Sequence, residues 1–108
     1  MSAVLVYMTA KDRQEAERVG QALIESRLAA CVNIIDGMQS MFLWQEAVQQ
    51  DQETVLIAKT KVGLVSELTR KVKAVHSYDC PCVVALPVID GNPEFLDWIQ
   101  EETSSLEQ

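Results

Sequence analysis

Cys80 and Cys82 flank Pro81 in a segment that also carries His76 and Asp79. Side chains alternate along an extended chain, so residues i and i+2 point to the same side. Two thiols placed this way form a soft donor pair that suits Cu(I) or zinc. Metal uptake would displace thiol protons, so affinity should rise with pH. His76 and Asp79 are the nearest further donors. His76 is the single histidine, and an imidazole can act as acid, base or ligand near neutral pH. A Cys-x-Cys pair lacks the four-ligand spacing of a structural zinc site, so donors from another subunit would have to complete it. The alternative reading is that one thiol packs as a small hydrophobe, the other is merely exposed, and His76 caps or packs at a helix end.

The third cysteine, Cys31, has apolar neighbours in a strand pattern and reads as structural. Cys80 and His76, four residues apart beside Asp79, make a poor catalytic triad, and no oxyanion-hole motif accompanies them. The expectation is a protein that is not an enzyme. Gly20, Gly37, Gly63 and Gly91 are isolated, which leaves no phosphate-binding glycine loop and no sign of an organic cofactor. Trp44, Tyr78 and Trp98 have apolar bodies with polar tips, as interface anchors do. Lys59 closes an otherwise apolar strand, where it can pair with a neighbour's carboxylate or meet an anionic ligand. These four are candidates for subunit clefts or interfaces.

The chain of 108 residues carries a net charge of -7, with 48% hydrophobic and 23% charged residues. That acidity argues against nucleic-acid binding, which needs cations to neutralise phosphates. Arg70, Lys71 and Lys73 form a local exception that reads as a solvated helix face. No apolar run reaches the ~20 residues of a membrane span, and the N-terminus lacks a basic leader. An odd number of cysteines closes no disulfide framework and fits a reducing compartment. A cytoplasmic location is expected.

The elements that must position these residues follow from periodicity. Ala3 to Thr9 reads as strand one, and Asp12 as the cap of a helix ending near Arg27. In that helix Ala16, Val19, Leu23 and Ile24 form the apolar stripe, with Glu15, Glu17, Arg18 and Glu25 on the other side. Ala29 to Ile35 begins strand two; Asp36-Gly37 signals a turn or a bulge, and the pattern resumes to Trp44, with one long bent strand as the preferred reading. Glu46 to Asp51 reads as a hairpin loop, and Glu53 to Lys61 as the returning strand. Val62 to Val75 is a second helix with Val65, Leu68, Val72 and Val75 inward. A loop runs from His76 to Pro81, and Cys82 to Val88 is the last strand. Asn92 caps a final helix with Pro93 at its first position.

The order βαββαβ plus a helix predicts an α+β, ferredoxin-like sandwich with an extra C-terminal helix. Residues 1–103 form the single domain, and the polar tail 104–108 is the one segment expected to be disordered. Strand residues are apolar at both parities, as in Val4 and Val6 against Leu5 and Tyr7. With helices on one sheet face, the other needs cover from another subunit, so an oligomer is expected.

Several separated segments resemble the divalent cation tolerance (CutA) family. Leu28-Ala29-Ala30-Cys31-Val32-Asn33-Ile34 is similar to its central motif, followed at the family's spacing by Gly37, Ser40 and Trp44. Glu53 precedes a strand ending in Lys59-Thr60, and His76, Tyr78 and Pro81 match the HPYE-x-P loop in part. Pro87, Gly91, Asn92, Leu96, Trp98 and Ile99 match the C-terminal pattern. Ser77 replaces the usual Pro, Asp79 the usual Glu, Cys82 a common Glu, and Glu46 a frequent Gly. The resemblance implies a homotrimer, similar in architecture to the P-II signalling proteins, and a role in tolerance of copper and other divalent metal ions. The resemblance also raises Cys31 as a weaker metal contact, and Cys80 and Cys82 would shift such a site towards softer metals, with copper, as Cu(I) or Cu(II), or zinc as the ion. The competing function is a P-II-like signalling or interaction module that binds a small ligand or protein in subunit clefts.

Overall fold

Alternating and helical apolar patterns resolve into four strands and three helices in the computed structural model, which describes residues 2–106. The elements are β1 (Ala3–Ala10), α1 (Arg13–Glu25), β2 (Cys31–Trp44), β3 (Ala47–Lys61), α2 (Val65–Val75), β4 (Val83–Pro87) and α3 (Pro93–Glu102), with a 3-10 turn at Val62–Leu64 before α2. The sheet order is β2-β3-β1-β4, and every neighbouring pair is antiparallel. This is the expected ferredoxin-like sandwich with an added helix.

Helix α1 starts where Asp12 accepts the Glu15 N–H at 2.8 Å. It ends without glycine. Arg27 takes φ +60°, its N–H bonds Ile24 O, and the Leu28 N–H reaches back to Leu23 O. That is a Schellman closure, sealed by contact between the fully buried Leu23 and Leu28. Ala16, Val19 and Leu23 pack on Val4, Val6, Met8, Leu56 and Ala58, joined by Leu68 and Val72 of α2. Two members of the predicted α1 pattern are corrected. Ile24 is exposed, and Glu15, placed on the polar side by sequence, is fully buried.

The long bent strand is present. Asp36 and Gly37 stand opposite the single residue Thr54, and Gly37 adopts φ +75° at this bulge. Thr54 Oγ1 donates to Asp36 Oδ1 at 3.0 Å and fixes the bend. The predicted loop from Glu46 to Asp51 is a second correction. The turn is Gln45-Glu46 alone, both with positive φ, and β3 already begins at Ala47. Its polar residues pair with Phe42, Met41 and Ser40 rather than looping. Beyond Met38 and Glu53 the ribbon has no third strand, so both its faces meet solvent within the protomer and alternation carries no burial signal. The projecting ribbon raises the radius of gyration to 14.3 Å, against about 13 Å for a compact chain of this length.

The sheet face opposite α1 and α2 stays open. Ile35, Val84 and Leu86 are each more than half exposed there, beside the half-buried Leu5, Tyr7 and Ile57. Helix α3 covers only one end of it, through Ile99 and through Lys61, whose Nζ donates to Gln100 O and Thr103 O. The tail expected to be disordered is tethered as far as it is described. Ser104 N–H bonds Arg27 O, while Ser105 Oγ and Leu106 N–H both donate to the Glu67 carboxylate. Glu107 and Gln108 lie outside the described residues.

Candidate functional site

Helix α2 ends at Val75, and the chain crosses from His76 to Cys82 in irregular backbone before entering β4. Pro81 has no N–H to give a ladder, which keeps this stretch a loop. Cys80 is exposed and Cys82 half-buried, and both are free thiols. Burial, then the neighbouring Glu53 carboxylate, pushes the Cys82 thiol pKa up. Asp79 is exposed beside them.

Two buried groups anchor the loop. The His76 side chain is 1% exposed. Its Nδ1 accepts the Tyr78 N–H at 3.0 Å, so Nε2 carries the proton and donates to Thr9 O at 2.8 Å. Neither ring nitrogen can bind a metal without breaking one of these bonds, which corrects the expectation of an available imidazole. Glu15 lies below it, its carboxylate accepting from Lys11 N–H at 3.0 Å and Ser77 N–H at 2.9 Å. Arg18 reaches the same carboxylate at 3.4 Å, and His76 Nδ1 stands 3.7 Å away. Burial alone would raise the Glu15 pKa, but the Lys11 and Ser77 donors outweigh it and hold the group below the usual carboxylate range. Sequence periodicity missed Glu15. The available signal was its place three residues after the Asp12 cap, the spacing of a capping box.

Tyr78 ties the loop to the ribbon. Its O–H donates to Glu53 Oε2 at 2.8 Å, while Ser40 Oγ donates to Glu53 Oε1 at 2.6 Å. Burial and then this bond to Glu53 push the Tyr78 phenol well above its ordinary range. Glu53 thus links loop, β2 and β3 beside the Cys82 thiol, a role its sequence context does not announce. Next to it an open cleft of about 620 Å³ lies between Lys11 and Arg13 on one side and the Asp36-Gly37 bulge on the other. Arg13 and Asp36 face each other there at 3.7 Å.

The remaining sequence candidates lie elsewhere. Cys31 pairs with Lys59 and lies in the row of Leu5, whereas His76 bonds Thr9. Four residues of strand, roughly 13 Å, separate the two rows. Lys59 Nζ is 3.9 Å from Cys31 Sγ and 5.5 Å from the Phe95 ring centroid. Trp98 contacts Phe95 and lines a groove with Cys31 and Val32. Trp44 stands at the ribbon tip, 62% exposed. Within one protomer, therefore, Trp44, Tyr78 and Trp98 share no cleft. Among the described residues no three His, Cys, Asp or Glu side chains converge as a metal cage. No helix among them is long and apolar enough to cross a membrane.

The family profile described as CutA1 divalent ion tolerance protein matches residues 4–102. The divalent-cation tolerance protein CutA of Thermus thermophilus is 44% identical over 99 residues, covering 92% of this chain and 96% of that protein. The chloroplastic protein CutA 1 of Oryza sativa is 42% identical over 94% of this chain, which spans only 57% of that longer relative. The crystal structure of CutA1 from Oryza sativa superposes with a TM-score of 0.94 at 40% identity, covering 96% of this chain and 95% of that one. With sequence, fold and loop in agreement, this chain belongs to the CutA1 divalent ion tolerance family.

Proposed function

We propose that the protein is a homotrimeric divalent-cation tolerance protein that takes up a metal ion, as copper or zinc, at the Cys80-Pro81-Cys82 loop. The observation that carries this is the exposed Cys80 beside the half-buried Cys82 on one loop, with Asp79 and Glu53 as neighbouring carboxylates. Thiolates favour soft ions, so Cu(I) suits the pair best, with Cu(II) and zinc behind it. One protomer supplies too few donors for a closed zinc site. A neighbouring subunit supplies the rest, and the uncovered apolar sheet face and projecting ribbon support such an assembly. Within one protomer Cys31 stands in a different strand row from His76, and both His76 nitrogens are occupied, so neither joins the protomer's own ligand set. The role is binding rather than catalysis, in a reducing compartment such as the cytoplasm that keeps the thiols free.

The test is competition of the fully reduced protein with a chelator for Cu(I), beside Cys80→Ser/Cys82→Ser. Saturable binding that the double substitution abolishes is expected. Equal affinity in both proteins would reject these ligands. The open cleft at Lys11, Arg13 and Asp36 favours a second reading, a module that binds a small polar ligand. That reading predicts thermal stabilisation by such a ligand with metal excluded.

A further inference from the structure

Three hydrogen bonds of 2.8–3.0 Å fix the start of loop 76–82, and they meet at a pair of buried polar side chains. Ser77 N–H ends on Glu15 Oε2, Tyr78 N–H ends on His76 Nδ1, and His76 Nε2–H ends on Thr9 O. Burying a carboxylate is costly unless its oxygens are satisfied, and an apolar residue would fill the space under α1 without that cost. Glu15 is fully buried all the same. Its two backbone partners belong to different segments: Lys11 precedes α1 and Ser77 opens the loop. The carboxylate therefore clamps the loop to the end of β1. Three residues further on stands Cys80, and its distance from Cys82 and Glu53 depends on how the loop leaves this clamp.

We propose that Glu15 is a positioning residue for the Cys80 and Cys82 thiols, holding the loop through Ser77 and the tilted ring pair His76 and Tyr78 so that both sulfurs face one ion. The inference rests on the reading of that thiol pair as the metal site. It assigns Glu15 the part of an outer-shell group, which touches no metal but sets the geometry of those that do. The His76 ring is a strut in this arrangement. It lies 4.7 Å from the Tyr78 ring and passes the constraint towards Glu53 through the Tyr78 hydroxyl.

Two substitutions separate the clamp from general stability. Glu15→Gln keeps the shape but sets an NH2 group against one of the two N–H donors. Ser77→Pro removes only the loop's own N–H. The residue before a proline must be extended, and His76 already is, at φ −87° and ψ 147°. Ile99→Ala serves as a control, since it opens the buried contact of α3 far from the loop.

The experiment measures Cu(I) affinity by chelator competition on the full, reduced protein, with melting temperature alongside. Glu15→Gln is expected to bind about 10–100-fold more weakly, the usual loss when an outer-shell partner is removed. Ser77→Pro should move in the same direction. Ile99→Ala should melt lower yet bind as the native protein does. Native affinity in both Glu15→Gln and Ser77→Pro, with binding lost in Cys80→Ser/Cys82→Ser, would overturn the positioning role and leave the thiol site standing. Native affinity in the double serine variant would overturn both together. If Glu15→Gln fails to fold, Ser77→Pro decides alone.

Discussion

Glu15→Gln also makes a prediction about folding itself, independent of any metal. The carboxylate has no exposed surface and accepts backbone N–H groups from Lys11 and Ser77. A glutamine carbonyl can serve one of them; the other then faces an NH2 group. One hydrogen bond to a charged acceptor is lost and one buried donor is left unmatched, a combined cost of about 2–3 kcal/mol. The half-exposed Arg18 contact adds little. For a chain of this length the unfolding entropy near 60 °C is about 0.23 kcal/mol/K, so the melting temperature should fall by about 9–13 °C. The assay is calorimetry at one fixed protomer concentration, because dissociation of an oligomer would couple to unfolding. The pH dependence has a definite sign. The Glu15 pKa lies below its unfolded value, so its contribution is complete above about pH 4.3 and is lost as pH falls through the folded value. The gap between native protein and variant should therefore be constant near neutrality and close below about pH 4. A drop of less than about 3 °C, or a gap that persists unchanged to pH 2.5, would refute the assignment of a buried, ionised clamp.

Three further substitutions read other parts of the fold. The Thr60 hydroxyl is buried without a hydrogen-bond partner among the described residues, so Thr60→Val should stabilise the protein by about 1 kcal/mol in chemical denaturation; destabilisation of that size would mean the hydroxyl is satisfied. Glu46 holds φ +67° in the two-residue turn, a conformation costing a side chain about 1–2 kcal/mol. Glycine gives back about 1 kcal/mol of that through its larger unfolded-state entropy, so Glu46→Gly should give a net gain of about 0–1 kcal/mol by the same method, and a loss would refute the strain. Leu86→Glu places a carboxylate on the uncovered sheet face; light scattering should show the native protein at three times the 12.1 kDa protomer mass and the variant at smaller species. A native protein of 12.1 kDa would reject the assembly.

The sequence was most legible where burial imposes a period. Ala16, Val19 and Leu23, and Leu68 and Val72, all lie in the core they announce, whereas β1 is apolar at both parities and only the fold shows that Val4, Val6 and Met8 are its inward set. The Asp36-Gly37 bulge and the Asn92-Pro93 start of α3 were readable because each rests on one local rule, a left-handed glycine and a cap before proline. The ribbon from Gln49 to Glu53 was not, because a strand with solvent on both faces leaves no periodic trace. Glu15 was misplaced for a different reason. A charged residue is assigned to the surface by pattern, and only the fold brings Lys11 and Ser77 to its oxygens. In the candidate site, only the placement of Cys80 and Cys82 on one loop was written in their spacing. The occupation of both His76 nitrogens and the distance to Cys31 depend on which strand row each residue joins, which no local spacing encodes.

The proposed metal site at the Cys80 and Cys82 thiols is open to a direct reading of its ligand atoms. X-ray absorption of the Cu(I)-loaded, reduced protein reads the ligand atoms directly. A sulfur shell around copper is expected, and it should disappear, along with bound copper, in Cys80→Ser/Cys82→Ser. A shell of nitrogen and oxygen alone, or a sulfur shell unchanged in the double variant, would contradict it.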